Sequence, residues 1–133
     1  MEEQKEIGKQ VQEGEIVDWS KYKEADEVMP KTGDKADGVV IAIKRGKVKE
    51  LLPEELLEKW KSDHEAEAIE VEVEYAWQNN TYTKRKILTL PNGDIISRKS
   101  NLYKWKKAFG DYPRIGQKIY LIADGEGYFQ IKL

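Results

Sequence analysis

Residues 68–90 read AIEVEVEYAWQNNTYTKRKILTL. In the first half, Ile69, Val71, Val73, Tyr75 and Trp77 alternate with Glu70, Glu72, Glu74 and Ala76. A period of two is that of a β-strand with one buried and one wet face. Gln78-Asn79-Asn80-Thr81 supplies turn chemistry, and Tyr82 to Leu90 reads as the returning strand. The stretch is therefore expected to be a β-hairpin.

Upstream, Gly38-Val39-Val40-Ile41-Ala42-Ile43 is a β-branched run expected to form the first strand. Arg45-Gly46-Lys47 marks a bend, with the strand resuming through Val48. Leu52-Pro53-Glu54-Glu55 opens a helix over 53–61, because proline and acids suit a first helical turn and Leu56, Leu57 and Trp60 recur at helical spacing. Downstream, Pro91-Asn92-Gly93-Asp94 is a turn. Ser100 caps a helix over Asn101 to Phe109, with Gly110 as its stop. Leu102, Trp105 and Phe109 share one stripe of that helix, which assigns Trp105 and Phe109 to the core. Gln117 to Ala123 and Tyr128 to Leu133 are the last two strands, with the turn Asp124-Gly125-Glu126-Gly127 between them.

The order is strand, helix, strand, strand, helix, strand, strand. Five short strands with glycine-rich turns point to a mainly β domain with two short helices, closed or nearly closed into a barrel. The helix SNLYKWKKAFG (residues 100–110) occupies the slot between strands three and four, and PKTGDKADGVVIAI (residues 30–43) leads into the first strand. In these two features the domain, residues 31–133, resembles the OB-fold proteins that bind single-stranded nucleic acids. The resemblance implies a five-stranded OB-like barrel and a nucleic-acid ligand. An SH3-like barrel, or an α+β sheet with two helices on one face, remains open at this level. Residues 1–30 hold nine acids and four lysines, and are expected to be an acidic arm, mobile through residue 15.

Charge separates along the chain. Residues 1–80 carry a net of −9, residues 81–118 a net of +8, and the whole only −2. Such asymmetry suggests a polyanionic partner or an acidic tail. Nineteen lysines and seventeen glutamates against four asparagines give the composition of proteins from hot environments. The chain has no cysteine and one histidine, which removes disulfides, thiolate metal sites, cysteine nucleophiles and two-imidazole chemistry. No apolar run approaches the roughly 20 residues of a membrane span. The opening MEEQKEIGKQ is unlike a secretory signal. The expectation is a cytoplasmic protein with no membrane role.

Catalytic patterns are poor. Gly33 and Gly38 have the spacing of a phosphate loop, but Val39-Val40 stand where Lys-Ser/Thr is required. His64 lies in a polar connection and is expected to be solvated. Glu70, Glu72 and Glu74 project in parallel about 7 Å apart, whereas a divalent metal needs converging oxygens. They are expected to be solvated, or to pair with Lys84 and Lys86 across the hairpin. A metal-dependent nuclease is accordingly a minor reading. No catalytic residue, metal or cofactor is expected.

The basic stretch is more informative. Lys84, Arg85, Lys86, Arg98, Lys99, Lys104 and Lys107 are interleaved with Tyr82 and Tyr103, and Trp77 and Tyr128 flank the same strands. Single strands are held by cations that follow the phosphates and flat rings that stack on bases. These residues are the candidate nucleic-acid contacts, although Trp77 also continues the apolar face of its strand. The expected function is single-stranded DNA or RNA binding without catalysis, alongside a replication, repair or transcription protein. The alternative is a regulatory module that docks a basic partner through its acidic half.

Overall fold

A computed structural model describes residues 17–22, 29–124 and 127–133. The expected mobility of residues 1–15 lies outside the described residues. The central hairpin is formed by β2 (Glu67–Trp77) and β3 (Asn80–Thr89). Its turn is tighter than four residues. Trp77 pairs with Asn80, and Gln78 and Asn79 alone form the loop, with φ of 49° and 69°. Positive φ at both central positions is what a two-residue hairpin turn requires.

β1 (Lys35–Lys47) is the long strand around which the sheet is built. It pairs with β4 (Lys118–Ala123) from Lys35 to Val39, and with β2 from Gly38 to Lys47. A register shift between Val40 and Ala42 bends it. β5 (Phe129–Gln130) pairs with β4, giving the antiparallel order β3-β2-β1-β4-β5. The sheet curls until Tyr75 and Trp77 of β2 meet Phe129 of β5, with ring centroids 5.5 and 5.0 Å apart. The result is a nearly closed five-stranded barrel, OB-like in strand order, with a helix between β3 and β4.

Its interior holds Val40, Val71, Val73, Leu88, Ile119, Leu121 and Ile131, among others. Gly38 sits where β1 pairs on both sides. A Cβ there would stand 2.7 Å from Val73 Cγ1 and 2.9 Å from Leu121 Cδ1. Overpacking of this kind costs about 1–3 kcal/mol. Gly38→Ala is therefore expected to lower the urea midpoint with an unchanged m-value.

Helix α3 (Asn101–Phe109) plugs one end of the barrel. Its limits are those the sequence dictates. The Ser100 hydroxyl accepts from the Tyr103 N–H at 3.2 Å, and Gly110 ends the helix at φ 89°. Leu102 and Trp105 are buried on its stripe, and Phe109 meets Trp105 edge-on at 4.9 Å.

The region between β1 and β2 departs from the expected single helix over 53–61. It forms two short pieces, α1 (Val48–Leu51) and α2 (Glu54–Glu58). Val48 thus begins a helix instead of prolonging the strand. Pro53 separates the pieces, because it lacks an N–H and holds Leu52 extended. Both pack outside the barrel, where Val48, Leu51, Leu57 and Trp60 cover Ala68 and Ile87 on the outer face of β2 and β3. One helix group plugs the barrel and the other lies outside it, which is not the open sheet with two helices on one face. His64 is not simply solvated. It is half-buried, and its Nε2 donates to the Trp60 carbonyl at 2.7 Å. The last strand is shorter than expected: only Phe129 and Gln130 pair with β4, and residues 131–133 continue without a ladder.

Candidate functional site

Residues directly opposite one another in an antiparallel pair project from the same face. The register of the hairpin pairs Tyr75 with Tyr82, Val73 with Lys84 and Val71 with Lys86. Tyr82, Lys84 and Lys86 therefore lie on the face that carries the buried valines, not on the glutamate face. The expected cross-strand pairing of Lys84 and Lys86 with Glu70, Glu72 and Glu74 does not occur. Opposite the three glutamates stand Ile87, Arg85 and Thr83. Arg85 Nη2 approaches Glu72 Oε2 at 3.9 Å, so Arg85 belongs to the outer face.

β3 is an edge strand, and the other edge of the sheet is β5. An open seam separates them, and Lys84 and Lys86 follow Tyr82 along the same face of edge strand β3. Both are half-buried, and among the described residues neither has an ion-pair partner. Burial holds the Lys86 ammonium below its usual pKa of 10.5, and the neighbouring charge of Lys84 adds to the effect. A desolvated cation beside a like charge is under electrostatic strain.

That strain has a sign. Between the lowered pKa of Lys86 and 10.5 the unfolded chain binds the extra proton, so stability contributed by this group rises with pH through that window. Below the lowered value the penalty is fully present. Lys86→Met is therefore expected to raise the thermal midpoint at neutral pH, by an increment over wild type that shrinks as the pH approaches 10.5. Thermal scans of the two proteins at several pH values check this.

At the hairpin end the seam widens into a groove of about 550 Å³. Tyr75, Trp77, Tyr82, Tyr128 and Phe129 line it, with Met29, Pro30 and Gly127 at its rim. Tyr75 and Tyr82 stack at 5.6 Å with 30° between their planes. Burial, and then the neighbouring Tyr82, raise the pKa of Tyr75. Phe129 meets both Tyr75 and Trp77 edge-on. Tyr82 is 43% exposed and Tyr128 62% exposed, so these two rings are the open faces of the groove. Trp77 is half-buried in its wall, as the apolar pattern of its strand implies.

The remaining candidates lie elsewhere. Arg98 and Lys99 are exposed in the segment that leads into α3. Lys104 and Lys107 are exposed and Tyr103 is half-buried, on positions of α3 away from its Leu102–Trp105 stripe. Thus the groove brings together Trp77, Tyr82 and Tyr128, and Lys84 and Lys86 continue from Tyr82 on the same face of β3. Arg85 is on the outer face, and Arg98, Lys99, Tyr103, Lys104 and Lys107 form a separate group around α3. Among the described residues no cluster of three or more metal-ligating side chains is present, and no helix is long and apolar enough to cross a membrane.

Tyr75 and Phe129 are groove residues that the sequence reading did not single out. The signal for Tyr75 was in the turn. Taking Gln78-Asn79 as a two-residue loop pairs Tyr75 with Tyr82, whereas a four-residue turn pairs it with Lys84; either turn puts both lysines on the valine face. Comparison with protein-family models, curated proteins and solved structures finds no match for the chain.

Proposed function

We propose that the protein binds single-stranded nucleic acid along the β3–β5 seam and does no chemistry on it. The observation that carries this reading is the pair Lys84 and Lys86, unneutralised among the described residues, on the same face of β3 as the exposed ring of Tyr82, which lines the groove with Tyr128. Successive same-face residues of a strand are about 6.8 Å apart. Stacked nucleotides rise about 3.4 Å along each strand of a duplex. A nucleic acid laid along Tyr82, Lys84 and Lys86 is thus extended to roughly twice that rise. Its bases are unstacked from one another and free to meet the tyrosine rings. A base pair offers no such faces, so a single strand fits the groove and a duplex does not.

Two terms support binding. Phosphates relieve the like-charge strain at the lysines, and each base stacked on a ring contributes about 1–3 kcal/mol. The test is a salt series of anisotropy titrations with labelled oligo-dT. Neutralising two phosphates on a single strand gives a slope of about −1.4 in log K against log salt. The expected slope is at least this steep. A slope near zero, or no binding at low salt, refutes the proposal. In the same assay Tyr82→Ala with Tyr128→Ala is expected to weaken binding about tenfold or more, with the salt slope unchanged.

A further inference from the structure

The cations around α3 take no part in the groove, and their setting is unusual for this chain. The chain has 25 Asp and Glu, yet the sixteen residues from Ile95 to Gly110 hold none of them and five cations. Arg98, Lys99, Lys104 and Lys107 are exposed. Among the described residues none of these four has an ion-pair partner. The next acid along the chain, Asp111, pairs with Arg114 at 3.8 Å. Lys106 is placed differently, with its Nζ 5.0 Å from the centre of the Tyr112 ring.

Leu102, Trp105 and Phe109 turn one stripe of α3 toward the core. Residues three and four apart on a helix are neighbours, so Tyr103, Lys104 and Lys107 share the outward face. Just before the helix, the Ser97 carbonyl accepts from the Ser100 N–H at 3.1 Å and from the Ser100 hydroxyl at 2.6 Å. The Ser97 hydroxyl accepts from the Lys99 N–H at 3.1 Å. The backbone that carries Arg98 and Lys99 is thereby fixed against the start of α3.

This arrangement works against the helix. Cations beside an N-terminus oppose the positive end of the helix dipole, and the first turn of α3 has no acid to offset them. Lys104 and Lys107, three residues apart, repel each other. The core requires only the inner stripe, and a face of mixed charge would serve the fold better.

We infer that the outward face of α3, with Arg98 and Lys99, is a second phosphate-binding surface that takes up the backbone of a single strand beyond the nucleotides held in the groove. The inference rests on the nucleic-acid reading of the groove and adds the length of strand that the protein engages. Four cations without carboxylate partners complement phosphates. The only ring on this face, Tyr103, is half-buried, so the face holds the backbone and does not stack bases. A strand already in the groove presents its remaining phosphates to α3 at high local concentration, an advantage that a separate acidic protein lacks. A domain of about 100 residues has a radius of gyration near 13 Å, so roughly ten extended nucleotides reach any point on its surface from the groove.

The experiment compares the full wild-type chain with Lys104→Gln/Lys107→Gln and with Lys104→Arg/Lys107→Arg in anisotropy salt series. The probes are labelled oligo-dT of about five and about thirty nucleotides, below and above the reach of one single-strand site. Thermal scans confirm that all three barrels are folded. For the long probe the Gln variant is expected to bind about tenfold more weakly at low salt, with a slope in log K against log salt less steep by about 1.4. For the short probe it matches wild type, and the Arg variant matches wild type for both. Equal slopes for wild type and the Gln variant on the long probe overturn the inference and leave the groove reading standing. An equal loss on both probes overturns it too, because α3 would then belong to the first site. So does a loss that the Arg variant shares, which would make the role structural. Tighter binding of a duplex than of the long single strand, abolished in the Gln variant, assigns the face to duplex and overturns the single-strand occupant. No binding of either probe by wild type removes the groove reading, and this inference with it.

Discussion

Lys84→Gln combined with Lys86→Gln is expected to reduce affinity for a single-stranded oligonucleotide about a hundredfold or more, while leaving the fold at least as stable as wild type. Hydrogen bonds from a charged donor are worth about 1.5–3 kcal/mol each, and two such contacts are lost together. The stability half of the expectation is the more diagnostic. Lysines that serve a fold are paired with carboxylates, as Lys47 and Lys49 are with Glu65 at 3.2 and 2.6 Å. Lys84 and Lys86 sit on the face of β3 shared with Val71 and Val73, where burial disfavours the charged form of Lys86. Removing their charge relieves repulsion and breaks no ion pair among the described residues. A thermal midpoint that rises while oligonucleotide affinity collapses, measured on one preparation, is the signature of residues kept for binding. A fall in both would make the lysines structural.

Trp105→Ala is expected to cost about 3–5 kcal/mol, the range for truncating a large buried aromatic. In a domain of this size that is a large share of the total stability, which typically amounts to about 5–15 kcal/mol. Trp105 is fully buried at the end of the barrel that α3 closes. Its Nε1 donates to Gln117 Oε1 at 3.1 Å, and Gln117 Nε2 donates to the Asp111 carbonyl at 3.0 Å. Loss of the indole therefore opens a cavity and also leaves the buried Gln117 side-chain oxygen with only the Arg114 N–H, at 3.4 Å. Phe109, which stacks edge-on between Trp105 and Tyr120, loses one of its two walls. Urea unfolding followed by circular dichroism measures the loss. Gln117→Leu, which keeps the indole but removes its polar partner, is expected to cost about 1–3 kcal/mol, chiefly through the stranded indole N–H, with the Asp111 carbonyl also losing its donor.

Much of the barrel was legible because its elements are locally consistent. The alternation from Ile69 to Trp77 has one solution, and Ser100 and Gly110 bracket α3 with side-chain and backbone chemistry that acts within one turn. The helical region after β1 was less legible. Leu56, Leu57 and Trp60 do recur at helical spacing, but the break at Leu52-Pro53 depends on Val48 and Leu51 finding Ala68 and Ile87 on the outside of the barrel. That long-range contact leaves no local mark. His64 is similar: its bond to the Trp60 carbonyl exists because the chain doubles back.

The candidate site was half legible. The basic and aromatic residue types announced themselves, and any hairpin loop of even length puts Lys84 and Lys86 on the valine face, but which residues stand opposite one another depends on a turn of two residues. A single-residue slip would have exchanged Arg85 for Lys84 and Lys86 on the seam. Of the eleven candidates, Trp77, Tyr82 and Tyr128 line the groove, Lys84 and Lys86 lie on the same face of β3 as Tyr82, Arg85 is on the opposite face, and the other five belong to α3 and the segment leading into it. Tyr75 and Phe129 joined the groove through contacts that the alternation pattern reads only as core.

The most direct test of the account is a map of backbone amide shifts in the ¹⁵N-labelled protein during titration with oligo-dT. The largest shifts are expected at Tyr82, Lys84 and Lys86 and across the seam at Tyr128 and Phe129, with little change at Glu70, Glu72 and Glu74. Shifts centred on Lys104 and Lys107 of α3 with a silent seam, or no shifts at all, would contradict it.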